Sequence, residues 1–207
     1  MMQPFTTVDA KAVALDMPNV DTDQIIPARF LWHARADGYG HLLFHDLRQD
    51  AEGAPKPGFV LDAPAGQGAA VLVADRNFGC GSSREHAVWA LVDAGIRVVI
   101  APSFGDIFYS NSFKNGLLPI VLPEARCTEL RAALARNPGA RLVVDLAAQT
   151  VSGPVGVNDG FATDSFSIDP MRKELLLAGE DEIGFTQRQS AAIAAFERDY
   201  TAAMPWL

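Results

Sequence analysis

Asp75-Arg-Asn-Phe-Gly-Cys-Gly-Ser-Ser-Arg-Glu-His-Ala87 is the stretch on which the fold turns. Residues 70–74 before it, Ala-Val-Leu-Val-Ala, and residues 97–101 after it, Arg-Val-Val-Ile-Ala, are short β-branched runs of the kind found in buried strands. Residues 83–94 between them read as a helix. A strand–helix–strand succession of this length predicts a right-handed crossover and a parallel strand pair. Within the stretch, Gly79 and Gly81 let the backbone turn tightly and approach a ligand with no Cβ in the way.

Two readings of the centre of this stretch stand side by side. The first-turn N–H groups of a helix have no internal partners and lie at the positive end of its dipole, so they attract carboxylate or phosphate. Arg84 adds a planar fork able to grip a carboxylate, and Ser82 and Ser83 add hydroxyls, which together suit a small acid. Alternatively, Ser82-Ser83-Arg84-Glu85 matches the capping box S-x-x-E, and Ser82 caps the helix. A plain cap needs neither the flanking glycines nor the arginine.

Further out, residues 104–115 read as a helix carrying Phe104, Ile107, Phe108 and Ser112, with Gly116 at the position after its end. A strand is expected over 118–122, an amphipathic helix over 124–136, and a hairpin from 142–146 and 150–151. A short strand follows over 166–168, and Pro170 opens a helix over 170–178. The last element, about 181–204, is expected as one terminal helix docked through Ile193, Phe196, Tyr200 and Met204. Upstream, about 28–64 is rich in Gly, Pro, His and Asp without steady periodicity, with a short helix near 40–47. Irregular regions of this length inside a domain are commonly functional. The expectation is a single α/β domain over 1–207, with a mixed sheet flanked by helices in layers.

Composition narrows the function classes. The chain has 207 residues, a formal charge of −8, 49% hydrophobic and 20% charged residues, the profile of a globular protein. No apolar run approaches the ~20 residues needed to span a bilayer. The opening Met-Met-Gln-Pro-Phe-Thr-Thr lacks the basic and apolar regions of a secretory signal, so a cytoplasmic location is expected. The acidic balance, without a basic or aromatic stripe, argues against nucleic acid as partner. Two cysteines, Cys80 and Cys127, and four histidines show no metal-ligand spacing, so no metal site is expected in this chain. Cys127 shares a helix face with Leu130 and Leu134 and reads as a buried small hydrophobe.

Four motifs, taken together, carry a resemblance. Asn77-Phe-Gly-Cys-Gly-Ser-Ser-Arg-Glu-His-Ala87 is similar to the signature of the swivelling domain of the aconitase superfamily. Asn19-Val-Asp-Thr-Asp-Gln-Ile-Ile-Pro27, Leu43-Phe-His-Asp46 and Ser103-Phe-Gly-Asp-Ile-Phe-Tyr-Ser-Asn-Ser-Phe-Lys-Asn-Gly-Leu-Leu-Pro119 narrow it. Spread over about half the chain, they resemble the small subunits of 3-isopropylmalate dehydratase, the isopropylmalate isomerase of leucine biosynthesis. Val88 departs from the proline common in relatives, and valine keeps its N–H.

The resemblance implies a β/β/α swivel domain of the aconitase C-terminal type. It implies a hydro-lyase that dehydrates 2-isopropylmalate to isopropylmaleate and rehydrates it to 3-isopropylmalate. It also implies a [4Fe-4S] cluster carried by a partner large subunit, none being bound by this chain. Residue by residue, Ser82 matches the serine that removes the carbon-bound proton, and Ser83 and Arg84, with the Gly81 backbone, match substrate-carboxylate positions. Phe30, Leu31, Trp32 and His33 occupy a loop that meets either the substrate's variable side chain or the partner subunit. Cys80 is assigned to packing near the site and His86 to orienting its neighbours. Asp21-Thr-Asp23 is assigned to turn structure. The alternatives are a related diacid hydratase, of citraconate or dimethylmalate type, and an anion- or RNA-binding regulator.

Overall fold

Val71 and Val73 point to one face of a sheet and Leu72 and Ala74 to the other, and all four are buried. Val98 and Ile100 repeat this against Val99 and Ala101. Apolar side chains at every position of a period-two element demand cover on both faces, which is why these runs lack polar alternation. The structure is a computed structural model and describes residues 2–155, 163–204 and 206.

The chain runs β1 (Thr7–Leu15), α1 (Thr22–Ile25), then three single 3₁₀ turns at Ala28–Phe30, Arg35–Asp37 and Gly40–Leu42, then α2 (His45–Arg48). It continues through β2 (Val71–Ala74), α3 (His86–Asp93), β3 (Val98–Ala101), α4 (Asp106–Lys114), β4 (Leu118–Val121) and α5 (Glu124–Arg136). The remainder is β5 (Arg141–Asp145), β6 (Thr150–Val155), β7 (Asp164–Ser165), α6 (Pro170–Ala178), α7 (Glu182–Arg188) and α8 (Ser190–Ala203).

The strands form one mixed sheet in the order β4-β3-β2-β1-β5-β6-β7. Pairing is parallel from β4 to β1 and antiparallel from β1 to β7. The crossover expected from residues 70–101 thus joins parallel neighbours. Pro119 lies in β4, an edge strand, where a missing N–H is tolerated. On one face Leu72, Val99 and Leu91 pack with Ile25 of α1 and Leu43 and Phe44 of the irregular region. On the other, Val73 and Ile100 pack with Cys127, Leu130 and Leu134 of α5 and Leu176 of α6. Burial of each such aliphatic side chain stabilises the fold by about 1.5–3 kcal/mol.

Several expectations are corrected. β1 is central yet unforeseen, because Asp9 and Lys11 in its first half break the apolar pattern. The third strand of the antiparallel half is Asp164–Ser165 rather than 166–168: Phe166 keeps one ladder bond, its N–H to Gln149 O at 3.0 Å, and turns its ring into the core. The terminal helix is two helices meeting at Gln189, and its stripe is not docked. Phe196 is 66% exposed, and Ile193 and Tyr200 are exposed too. Helical spacing shows that side chains share a face, not that another surface receives it.

Candidate functional site

β1 and β2 are adjacent and parallel, so both chains leave the sheet at the same end, where open α/β sheets place ligands. The segment after β2 then threads between the exits of β1 and β3. On the β1 side, Asn19 N donates to Arg76 O (2.9 Å), Gly79 N to Val20 O (2.7 Å) and Thr22 N to Cys80 O (2.9 Å). On the β3 side, Phe78 N donates to Ser103 O (3.1 Å) and Gly105 N to Phe78 O (2.9 Å). Asn77 takes a left-handed conformation and donates its side-chain amide to Asn19 Oδ1 at 2.9 Å. At Gly79, φ is +73° and a Cβ would stand 2.2 Å from the Phe108 ring, so only glycine fits. Buried Arg131 of α5 fastens the end of β2 by donating to Ala74 O at 3.0 Å.

This bracing presents Ser82. Its Oγ accepts from Arg84 Nε at 2.6 Å and lies 3.1 Å from Thr22 Oγ1, which itself accepts the Ser82 N–H at 3.1 Å. Arg84 Nη1 donates to Asp23 Oδ1 at 2.5 Å and to Ile26 O at 3.3 Å. Nη2 has no hydrogen bond to the described residues. The same Asp23 oxygen accepts the Ala28 N–H at 2.8 Å, tying the guanidinium to the start of the 28–33 turn. The Arg84 hydrogen bond holds the Asp23 carboxyl below the usual carboxylate range. Ser83 is exposed, and its carbonyl accepts from Asn111 Nδ2 at 3.2 Å. Gly81, φ +97°, is exposed beside it.

The capping-box reading fails. α3 begins at His86, has no side-chain cap bond, and Glu85 accepts instead from Asn115 Nδ2 at 2.6 Å. Ser82 Oγ is taken by Arg84 and Thr22, across 60 residues of sequence, before it can cap. The helix start therefore lies beyond Ser82–Arg84, and Ser82 Oγ is reached by two side chains and, at 3.5 Å, by the Arg84 backbone N–H, which precedes the helix. Val88 is buried and its N–H donates to Glu85 O at 2.9 Å, a bond proline would lack.

Cys80 is half-buried; burial pushes its thiol up, against nucleophilic use, and Sγ lies 3.6 Å from Asn19 O. His86 packs between Tyr39 and Trp89, its Nδ1 buried without a hydrogen-bond partner among the described residues, and burial pushes its pKa down. It touches neither Ser82 nor Arg84 through any hydrogen bond. Asp21 has the turn role expected, capping α1 through Gln24 N at 2.7 Å. Asp23 also fills that role, through the Ala28 N–H, and reaches Arg84 besides, whereas the Thr22 side chain turns to Ser82. The Asp21–Gln24 box reveals a helix start in the sequence, but nothing there reveals that residues 22 and 23 face Ser82 and Arg84.

In the 28–33 turn, Phe30 is half-buried, with the His45 ring 4.7 Å away and the Arg29 guanidinium 4.6 Å from its centroid. Arg29 forks onto Asp46, whose pKa its hydrogen bonds lower to about 2. Arg29, Phe30, His45, Asp46 and Lys56 border a cavity of 620 Å³. Leu31 is half-buried; Trp32 is 77% exposed and stacks on His33 at 4.5 Å. Among the described residues no three His, Cys, Asp or Glu side chains converge as metal ligands.

Residues 2–125 match the family model described as the aconitase C-terminal domain, and residues 128–170 the one described as LeuD_N. Residues 182–207 match the model of the C-terminal domain of the 3-isopropylmalate dehydratase small subunit. The chain is 49% identical to the 3-isopropylmalate dehydratase small subunit of Paramagnetospirillum magneticum and 48% identical to that of Dinoroseobacter shibae. Each alignment spans 206 residues and covers 100% of both chains. It is also similar to the crystal structure of 3-isopropylmalate dehydratase from Methanocaldococcus jannaschii. There the TM-score is 0.62 and the identity 26%, over 91% of this chain and 98% of that one.

Proposed function

This chain belongs to the family of 3-isopropylmalate dehydratase small subunits, and from that premise we propose how its residues take part in the reaction. It is an α/β swivel domain of the aconitase C-terminal type and one part of a heteromeric hydro-lyase of leucine biosynthesis. The assembled enzyme isomerises 2-isopropylmalate to 3-isopropylmalate. Full-length identity near one half disfavours the citraconate, dimethylmalate and RNA-regulator alternatives. In our reading 1–207 acts as one unit in the cytoplasm, with the large subunit as partner, a small dicarboxylate as substrate, and neither nucleic acid nor membrane.

The single observation that carries the mechanism is the 2.6 Å bond from Arg84 Nε to Ser82 Oγ. A serine hydroxyl is a poor base unless its alkoxide is stabilised, and a guanidinium N–H aimed at the oxygen supplies that stabilisation. Ser82 Oγ takes the proton from the carbon next to the substrate carboxylate. The C–H electron pair becomes the new double bond, hydroxide departs from the neighbouring carbon, and the sum is loss of water. Water then returns with the two carbons exchanged. Arg84 Nη2, the Ser83 hydroxyl and the Gly81 N–H hold the carboxylates in place. The described residues of this chain offer no ligand set for a cluster. A [4Fe-4S] cluster, held by the large subunit, would when bound supply Lewis-acid polarisation of the leaving hydroxyl.

Phe30 and its neighbours Leu31, Trp32 and His33 line the substrate's isopropyl group. Each methylene gained or lost there is worth only ~1–3 kcal/mol, so selection among related acids is graded. The test is co-purification with the large subunit, followed by turnover of 2-isopropylmalate, citraconate and dimethylmalate. Activity is expected on the first, and its loss in Ser82→Ala. Near-normal turnover in that variant removes Ser82 from the role of base.

A further inference from the structure

We propose that Thr22 is a positioning residue for Ser82, the second side-chain hydrogen-bond donor that holds its oxygen as an alkoxide. The inference rests on Ser82 being the base and adds a residue to that machinery. Thr22 is 1% exposed, in the first turn of α1, whose N-terminus is closed by the Asp21–Gln24 capping box. Its own N–H is fixed on Cys80 O at 2.9 Å, so its side chain has a set position relative to the 79–82 segment.

The direction of the Thr22–Ser82 bond follows from counting protons. Thr22 Oγ1 accepts the Ser82 N–H at 3.1 Å, which uses a lone pair and leaves its one proton to give. Among the described residues Ser82 Oγ, at 3.1 Å, is its hydrogen-bonding neighbour for that proton. The opposite assignment, with Ser82 donating, would strand a buried hydroxyl proton without an acceptor, a costly arrangement. Ser82 Oγ therefore accepts from Thr22 and from Arg84, and its own proton points away from both, toward the open side. Loss of that proton to solvent on the open side leaves an oxyanion already facing three fixed donors, the Arg84 guanidinium, the Thr22 hydroxyl and, at 3.5 Å, the Arg84 backbone N–H, with no reorganisation required.

The arrangement also explains the spacing of two separated motifs. A single threonine oxygen fixes both the backbone and the side chain of a residue 60 positions away, so Ser82 cannot rotate toward α3.

The experiment uses the assembled enzyme and four variants: Thr22→Val, Thr22→Ser, Thr22→Cys and Ser82→Ala. Thr22→Val is expected to lower kcat roughly 10²-fold, the scale for one oxyanion donor. It should leave KM within about threefold and move the rising, acidic limb of the kcat–pH profile to higher pH, because the alkoxide loses a stabilising bond. Thr22→Ser should restore both, and Thr22→Cys, a similar volume with a weak donor, should resemble Thr22→Val. Wild-type kcat and pH profile in Thr22→Val, with Ser82→Ala inactive, overturn the proposal while leaving Ser82 as base. Activity in Ser82→Ala overturns the base assignment and this inference with it. Should Thr22→Val fail to assemble, a Thr22→Cys enzyme with unchanged kcat and pH profile overturns it equally.

Discussion

Replacing Arg84 by lysine separates two jobs that the guanidinium performs at once. Arg84 donates through Nε to Ser82 Oγ at 2.6 Å and through Nη1 to Asp23 at 2.5 Å, and is only 16% exposed. A lysine carries one ammonium on a flexible stem, and the exposed carboxylate of Asp23 competes for it with Ser82. Charge is kept and the Asp23 pair survives, so folding should change by no more than the ~0–1 kcal/mol typical of exposed ion pairs. The N–H aimed at Ser82 is lost. A missing donor to a developing oxyanion costs about 10²–10³ in kcat, or ~2.7–4 kcal/mol. Loss of the Nη2 contact to a carboxylate adds a rise in KM. The assay is steady-state isomerisation by the complex with the large subunit, alongside thermal melts of the isolated chain. Expected is a fall in kcat of at least 10²-fold, a smaller rise in KM and a nearly unchanged melt. A variant with kcat within threefold of wild type refutes the Arg84–Ser82 pairing as the source of basicity. A collapse in Tm would show that Arg84 acts on folding instead.

Other outcomes follow from the same geometry. Asp23 and Asp46 have folded pKa values below those of the unfolded chain, Asp46 at about 2, so their pairs stabilise above the ordinary carboxylate range. That contribution falls away with decreasing pH through the lowered values. Asp46→Asn should narrow the difference in Tm between pH 5 and pH 2, and an unchanged difference counts against the Arg29–Asp46 pair. Gly79→Ala combines left-handed backbone with a Cβ 2.2 Å from the Phe108 ring. Strain and overpacking of about 2–4 kcal/mol should lower Tm by roughly 4–16 °C, and a wild-type melt would show that the segment relaxes. Phe196→Ser on the exposed face of α8 should move stability by less than about 0.5 kcal/mol in the isolated chain. A larger loss in chemical denaturation would mean that this face is covered there.

The elements legible in the sequence are those whose pattern is local. The 124–136 and 170–178 helices have proline at or just before their start and a turn after their end, and their bounds coincide with α5 and α6. The β-branched runs at 71–74 and 98–101 announced buried strands because each position is apolar. β1 escaped detection because its first half, which carries Asp9 and Lys11, pairs with β5 while the register with β2 begins only at Ala12. The break at Gln189 carries no proline or glycine to mark it, and nothing in the structure explains it.

In the site the division is the same. The glycines and the Ser82-Ser83-Arg84 triplet were readable by themselves, since backbone freedom and side-chain chemistry are properties of single residues. Whether Ser82 caps the helix or is bound elsewhere was not, since S-x-x-E serves both. That choice was made by β1 and β2 lying side by side, which carries Thr22 and Asp23 up to Ser82 and Arg84. Hydrogen bonds formed across 60 residues leave no periodicity in the chain, and they, not the local motif, decide where the serine oxygen points.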